Sequence, residues 1–557
     1  MPQTVGKIET LRREIGKARK QGKTIGLVPT MGSLHAGHLA LVEACRRRCD
    51  LVVVSVFVNP RQFGPGEDLA RYPRNLRRDT RLLAAHGCDI VFAPAAEEMY
   101  PSGFKTSVGV EVLRDALCGR LRPGHFDGVA LVVLKLMLAA QPDVAFFGEK
   151  DYQQLVIVRQ LVRDLGVPVR IEAVPLLRDK DGLALSSRNV YLSDEERAVA
   201  TSLFKSLELA RLLIAGGERR AQAIEERMVT LLVDSGVTKV DYAAVVDPSS
   251  LERVKYVDSE VRVLVAAWIG ATRLIDNIAV EASAVGRRRR PAMRGAVGVV
   301  MAAGEGKRMK SGLPKVMHRI GGIPMVGHVI AAAREAGIKN IIAVVGHRSD
   351  KVLPYLRGLG VEVVRQEVQR GTGHAVLQAY PLLGRFRGSL VVLSGDTPLI
   401  RSDSVRRVLA RHNQHSNTIT FLTTEVPDAT GYGRVVRDRN GGFTRIVEEK
   451  DADRETRAIK EINAGLYCFR AEPLFDALLA VKADNVQMEY YLTDVIETLK
   501  GRGARVEAMR IADHTEMSGV NDAGDLKRVR DIYARRKKAE DSERGLENGV
   551  HSQRRRR

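Results

Sequence analysis

The chain has 557 residues, 45% of them hydrophobic, 5% aromatic and 28% charged. That length exceeds one ordinary core and that composition excludes disorder throughout, leaving about two to four globular domains. The formal charge of +21 invites a nucleic-acid partner, but eight arginines stand in two quartets, 287–290 and 554–557; such blocks form solvated linker or tail, and no basic stripe interleaved with aromatics argues for RNA or DNA binding.

In chain order, β-branched runs at 24–29, 51–58, 89–93, 144–147 and 169–174 alternate with helical patterns at 37–48, 74–86, 129–140 and 150–165, the plan of an α/β domain with a largely parallel sheet. After about 186 the character changes to "LSDEERAVATSLFKSLELARLLI", a capped helix start at Ser193 that opens a small α+β region. The segment 281–295 has no hydrophobic period and carries the first arginine quartet, so it reads as a basic linker. A second α/β series follows, with strands expected at 297–301, 340–345, 361–364, 389–393 and 418–423. From 531 to 557 charge dominates, and a frayed helix giving way to a disordered tail is expected. No apolar run reaches membrane-spanning length and the N-terminus lacks a signal-peptide core, so no membrane contact and a cytoplasmic location are expected. The five cysteines lack paired spacing for zinc or a disulfide framework.

The first strand runs into "PTMGSLHAGH". Glycines 32 and 37 let backbone approach a phosphate, the following helix aims N–H groups and its positive dipole end there, and His35 and His38 can stabilise charge developing on an α-phosphate. Four more motifs follow in order: "FVNPRQFGPGEDLARYPR", "RPGHFDGV", "FGEKDYQQL" and "LALSSRNVYLS". Together the five resemble pantothenate synthetase over residues 1 to about 283. The resemblance implies a ligase joining pantoate to β-alanine, with ATP cleaved to AMP and pyrophosphate through pantoyl-adenylate, and a homodimer formed through the N-terminal domain. It implies that Pro29, Met31, His35, His38, Gly148, Lys150, Asp151, Leu185, Ser186, Ser187 and Arg188 contact ATP, with His38, His35, Lys150 and Arg188 catalytic, and that Gln62, Gln154 and Tyr72 hold pantoate. Amides suit both the hydroxyls and the carboxylate of that substrate. Asp79 is the candidate for the magnesium side, while Arg78 occupies a place that some relatives fill with an acidic residue. Leu185 stands where the family commonly has Met, a volume-conserving change. His125 serves equally as a structural hydrogen-bonding group or a ligand contact.

The second series opens "VVMAAGEGKRM…LPKV", a glycine-rich turn with Arg308 and Lys315 that can wrap a triphosphate but lacks the Ser or Thr of a P-loop. Downstream stand "RQEVQRGTGHAV", "LSGDTPLI", "GYGRVV", "IVEEKDA", "EINAGLY", "EYYLTD" and "SGVND". These seven resemble the uridyltransferase domain of the bifunctional enzyme that makes UDP-N-acetylglucosamine, over about 296–530. The resemblance implies uridylyl transfer from UTP to N-acetylglucosamine 1-phosphate, with Ala302, Ala303, Gly304, Gln366, Gln369, Gly371 and Thr372 around UTP. It further implies that Arg308 and Lys315 are catalytic at the phosphates, that Gly433, Glu448 and Asn463 face the sugar, and that Asp396 and Asn521 hold Mg²⁺. The hexapeptide β-helix and its acetyltransferase are not expected, since only a charged tail follows.

The fold class expected is therefore α/β, two Rossmann-like nucleotide-binding units in tandem: 1–185 with a small α+β lid region at 186–280, the linker 281–295, and 296–530, with no β-helix domain. The function expected is bifunctional, with ATP and UTP as substrates and Mg²⁺ as cofactor. Another sugar or base for the second half, or an inactive regulatory module there, stays open.

Overall fold

The computed structural model describes residues 1–64, 67, 69–281, 293, 295–304, 307–309, 311–346, 349–366, 369–384, 386–480 and 491–554. The chain divides into two compact units, one reaching from Met1 to Ala284 and the other from Val285 to Arg557, apart from a three-residue exchange at 215–217.

The first unit is built on a six-stranded sheet. Its strands are β1 (Gln3–Val5), β2 (Ile25–Thr30), β3 (Leu51–Val56), β4 (Ile90–Phe92), β5 (Val144–Gly148) and β6 (Arg170–Val174), in the order β1-β4-β3-β2-β5-β6, and every pairing is parallel. Helices cover both faces, so the central strands are apolar on both sides; Ile25, Leu27, Val28, Val52, Val53 and Val54 are fully buried. The opening strand and the helix Ile8–Lys20 add to the elements expected from the sequence. That helix buries Leu11, Ile15 and Ala18 along one stripe, a period present in the sequence, whereas β1 is a three-residue edge strand too short to carry one.

Beyond β6, helices Asp194–Ala215 and Ala221–Asp234 pack with an antiparallel sheet of β7 (Lys239–Val246), β8 (Val261–Ile269) and β9 (Thr272–Val280). The start at Ser193 is a reciprocal cap: the Glu196 N–H donates to Ser193 Oγ at 3.2 Å and the Ser193 N–H to the Glu196 carboxylate at 3.0 Å. This small region belongs to the same compact unit as the parallel sheet.

In the second unit, β10 (Val297–Ala302) is followed by a two-residue hairpin, β11 (Arg319–Ile320) and β12 (Ile323–Pro324). The main sheet adds β13 (Asn340–Val345), β14 (Glu362–Arg365), β15 (Ser389–Ser394), β16 (Ile419–Glu425), β17 (Arg434–Arg437), β18 (Phe443–Val447), β19 (Glu461–Arg470) and β20 (Val506–Arg510). The order β14-β13-β10-β15-β19-β16-β20 is parallel through β15 and becomes mixed where β19 runs antiparallel to both its neighbours, with β17 and β18 as a side hairpin. The helix Ala523–Arg554 runs into the segment expected as frayed helix and tail. Composition points to disorder there, but Leu526 and Val529 on the first turns of this helix are buried against Met309, Ile320, Met325 and Leu399, and that packing starts the helix. Most of the expected linker lies outside the described residues.

Candidate nucleotide sites

Both sheets change direction at one point. In the first, the chain moves from β2 outward through β3 and β4, then crosses back to β5 on the other side of β2; in the second it moves from β10 through β13 and β14, then returns to β15. A crevice opens beyond the carboxyl ends of the two strands at such a reversal, where neighbouring loops diverge to opposite faces. The loops after β2 and β5 carry PTMGSLHAGH and GEKDYQ; those after β10 and β15 carry AAGEGKR and GDTP.

At the first crevice, His35 caps the helix Ala36–Arg46. Its Nδ1 accepts the Gly37 N–H at 3.1 Å, while His38 Nδ1 accepts the His35 N–H at 3.4 Å. The rings lie 4.1 Å apart, centre to centre. Burial, then Lys150, pushes His35 down to about 4; burial, then His35, pushes His38 down to about 3. Both rings are thus neutral at neutral pH, and because each Nδ1 accepts, each proton sits on Nε2. The loop ahead of them is held by Asp79, which is fully buried. Its Oδ2 accepts the Ser33 N–H at 2.9 Å and its Oδ1 the Leu34 N–H at 3.0 Å. Gly32 has φ 80° there, and a Cβ on it would come within 3.0 Å of Asp79 Oδ2. Asp79 thus holds the loop with its side chain closed to solvent, and the magnesium role expected of it finds no support in this geometry.

A cleft adjoins this loop, lined by Arg122, Lys150, Asp151, Gln154, Ser186 and Arg188 among others. His35, His38, Met31, Gln62 and Tyr72 lie beside it rather than in its lining. Tyr72 OH is 3.5 Å from Ser187 Oγ, and a Cβ on Gly37 would lie 3.9 Å from Leu185, so LALSSR closes against the helix start. Gln62 is buried; its amide donates to Met31 Sδ at 3.0 Å and accepts from Asn59 at 3.1 Å. His125 is a structural group: Nδ1–H donates to Gln62 O at 2.6 Å, Nε2 accepts from Arg122 at 3.1 Å, and burial followed by Arg122 pushes the ring down to about 4. Arg122 also clasps Glu67 with two hydrogen bonds of 2.6 and 2.5 Å.

The turn carrying Lys150 is gripped from β9, which no local motif announces. Asn277, 3% exposed, donates from Nδ2 to Glu149 O at 3.0 Å and Lys150 O at 2.9 Å. Its Oδ1 accepts from Arg262 Nε at 2.7 Å, and Arg262 also reaches Glu149 at 3.0 Å while stacking 4.0 Å above the Tyr152 ring. Asp276, beside it, pairs with Arg178 through two hydrogen bonds of 2.6 and 2.9 Å.

At the second crevice, Lys315 follows Pro314 on a short turn and reaches Asp396, just past β15, and Asn521 Oδ1 at 2.8 Å. Gln366 is buried; its NH₂ donates to Gly371 O at 3.2 Å and meets His374 Nδ1 at 2.9 Å, while Gln369 donates to Ala303 O. Thr372 Oγ1 accepts the Leu492 N–H at 3.0 Å. Ala302 and Ala303 are buried, while Gly304 and Arg308 are exposed on the glycine-rich loop. Gly433, Glu448 and Asn463 converge on one wall: Gly433 O accepts the Asn463 N–H at 2.9 Å, and a Cβ on Gly433 would stand 3.3 Å from Glu448. Thr493 donates to Glu448 at 3.0 Å, yet burial still raises the carboxyl above its ordinary range. Asp396 and Asn521 supply two hard oxygens, a set that fits magnesium completed by phosphates and water.

Comparison with known proteins agrees with this division. The family model described as pantoate-beta-alanine ligase matches residues 3–279, and that of the MobA-like NTP transferase domain matches 298–494. The first half is similar to the pantothenate synthetase of Caldicellulosiruptor saccharolyticus, 49% identical over 277 residues, which are 50% of this chain and 99% of that protein. It is also similar to that of Moorella thermoacetica, 50% identical over 49% of this chain and 97% of that one. The crystal structure of pantothenate synthetase from Thermus thermophilus is 48% identical and covers 50% of this chain and 98% of that chain, with a TM-score of 0.48. The match to the second half is to nucleotide transfer at large and specifies neither base nor sugar; Asn521 lies beyond its end. Among the described residues no helix is long and apolar enough to cross a membrane.

Proposed function

The chain belongs, through its first unit, to the pantoate-beta-alanine ligase family, and from that premise we propose that this unit makes pantothenate in two steps at the β2/β5 crevice. A pantoate carboxylate oxygen attacks the α-phosphorus of ATP; the bond to the bridging oxygen of the leaving pyrophosphate breaks, giving pantoyl-adenylate. The β-alanine amine then attacks the acyl carbon, AMP leaves with the bond electrons, and the amine gives up a proton. The observation that carries the reading is the pair of neutral imidazoles with Nδ1 occupied, leaving two Nε2–H donors for an α-phosphate oxygen as its charge grows. Lys150 and Arg188 screen the triphosphate, and Gln62 exchanges its weak bond to Met31 Sδ for a pantoate oxygen. Mg²⁺ brought in with the triphosphate would supply charge neutralisation there, beside Lys150 and Arg188.

For the second unit the reading is nucleotidyl transfer to a sugar 1-phosphate, with UTP and N-acetylglucosamine 1-phosphate as substrates. Support comes from Gln366: with its NH₂ group at Gly371 and His374, its carbonyl suits a base with a ring N–H beside a carbonyl, as uracil has at N3, whereas cytosine and adenine offer only exocyclic amino N–H groups. Guanine also presents one, which makes GTP the runner-up. Asp396 and Asn521 would hold Mg²⁺, which offsets charge on the phosphates; Arg308 and Lys315 bind those phosphates, and Glu448 and Asn463 accept and donate to sugar hydroxyls.

Pyrophosphate release from the full chain tests both readings. ATP with pantoate and β-alanine is one set and N-acetylglucosamine 1-phosphate with UTP, GTP, dTTP, CTP or ATP the other, each with omissions. His38→Ala lowers the first by orders of magnitude and spares the second, and Asp396→Asn does the reverse. CTP or ATP outrunning UTP and GTP refutes the role given to Gln366.

A further inference from the structure

Lys315 sits where a metal would. Its side chain is 12% exposed, and its ammonium touches Asp396 Oδ2 and Asn521 Oδ1 together, the two oxygens read above as the metal's donors; the inference rests on that reading. The seat is rigid. The Val520 N–H donates to Asp396 O at 3.1 Å, the Asn521 N–H to Asp525 at 2.9 Å, and the Gly395 N–H to Met301 O at 2.9 Å. A divalent ion bound to both oxygens at about 2.0–2.1 Å would occupy nearly the position of the ammonium, so the two cations exclude each other by contact and by charge. With lysine in place the Asp396 carboxylate is matched by one ammonium, as the Asp525 carboxylate behind Asn521 is by Arg528. A free divalent ion arriving there must displace the lysine and leave it without a counter-charge in a half-enclosed crevice. A nucleoside triphosphate reverses that balance, because its phosphates accept the released ammonium and add oxygens to the metal.

We propose that Lys315 is a built-in counter-cation that closes the metal seat until a triphosphate draws it away, so that the second site takes its divalent ion with the nucleotide and not before it. Lys315 thereby has two positions, on Asp396 and Asn521 in the empty site and on the phosphates in the loaded one. It couples the two ligands because neither position is available while the other is filled.

The test is titration of the full-length chain with Mn²⁺ and no nucleotide, read by the free-ion electron paramagnetic resonance signal. Wild type shows no tight site attributable to Asp396. Lys315→Met, which keeps the aliphatic stem and loses the charge, binds one Mn²⁺ at least tenfold more tightly, and Asp396→Asn in that background removes the gain. Lys315→Arg stays closed, and Lys315→Gln is the second open variant should the Met form melt early. Wild type binding one Asp396-dependent Mn²⁺ as tightly as Lys315→Met overturns the closure while leaving the metal seat in place. If neither Lys315→Met nor Lys315→Gln, folded by their melting curves, gains an Asp396-dependent ion, the metal-donor reading fails, and the closure with it.

Discussion

Asp79→Asn separates two roles for one buried carboxylate. In the folded protein, both oxygens accept backbone N–H groups, from Ser33 at 2.9 Å and Leu34 at 3.0 Å, with no exposure to solvent. Arg78 stands 4.0 Å away with a half-exposed side chain, so it adds little. An amide keeps one acceptor and turns an NH₂ group against the other N–H, which is left buried without a partner. Hydrogen bonds to a charged group contribute about 1.5–3 kcal/mol each, and an orphaned donor costs about 1–3 kcal/mol. A loss of about 3 kcal/mol follows, a fall of roughly 6–12 °C in the melting transition of the first unit. Because Ser33 and Leu34 lead into His35, ATP binding weakens as well. The assay is a thermal scan of the full chain beside an Mg²⁺ titration of pantothenate formation at saturating ATP. The reasoning requires a lowered transition with an unchanged Mg²⁺ requirement; an unchanged transition with a raised Mg²⁺ requirement would refute it and restore Asp79 as a metal ligand.

The other predictions concern both units. Asn277→Ala frees the Glu149 and Lys150 carbonyls from β9 and should raise KM for ATP several-fold while leaving that for β-alanine within about twofold on the scale of lost neutral hydrogen bonds; a drop in melting temperature with unchanged KM values would make Asn277 structural only. With His35 and His38 held near 4 and 3, pantothenate formation should show no histidine inflection between pH 6 and 8 and should decline only toward about 4, and an inflection near 6.5 assigned to either ring contradicts this. In the second unit His412 is fully buried, and desolvation followed by Arg470 lowers it to about 4. The unfolded chain takes up that proton near 6.5 and the folded chain does not, so stability should fall with pH between about 6.5 and 4, at about 1.4 kcal/mol per pH unit; His412→Gln should flatten that slope in denaturant melts. Gly433→Ala, whose Cβ would meet Ile446 at 3.1 Å and Glu448 at 3.3 Å, should raise KM for the sugar phosphate with that for the nucleotide unchanged.

Much of this protein is legible in its sequence because parallel strands buried on both faces are continuous apolar runs and because phosphate-binding loops need glycine at fixed places. The strand expected at 340–345 matches to the residue, and β2, β5, β10 and β15 to within one or two. His35 and His38 are expected as a pair at a helix start, and they stand there. Helix Ala523–Arg554 is only partly legible in the sequence because its mean composition is polar and its partners, Ile320 and Leu399 among them, stand more than a hundred residues away. The hold of Asp79 on the loop is not legible from its neighbours in sequence, because its oxygens face residues some 45 positions away.

The sequence by itself determined the two α/β series, the order of their motifs and the residue types at each crevice, since these follow from hydrophobic period and from chemistry carried within a few adjacent residues. Only the tertiary structure decided what each polar group is doing. It assigned Asp79 to the loop, His125 to Gln62 and Arg122, Asn277 to the Lys150 turn, and Lys315 to Asp396 and Asn521. The physical reason is that a buried polar group must be satisfied, and its partner is whatever the fold brings within about 3 Å, from 45 residues away for Asp79 or some 200 for Lys315.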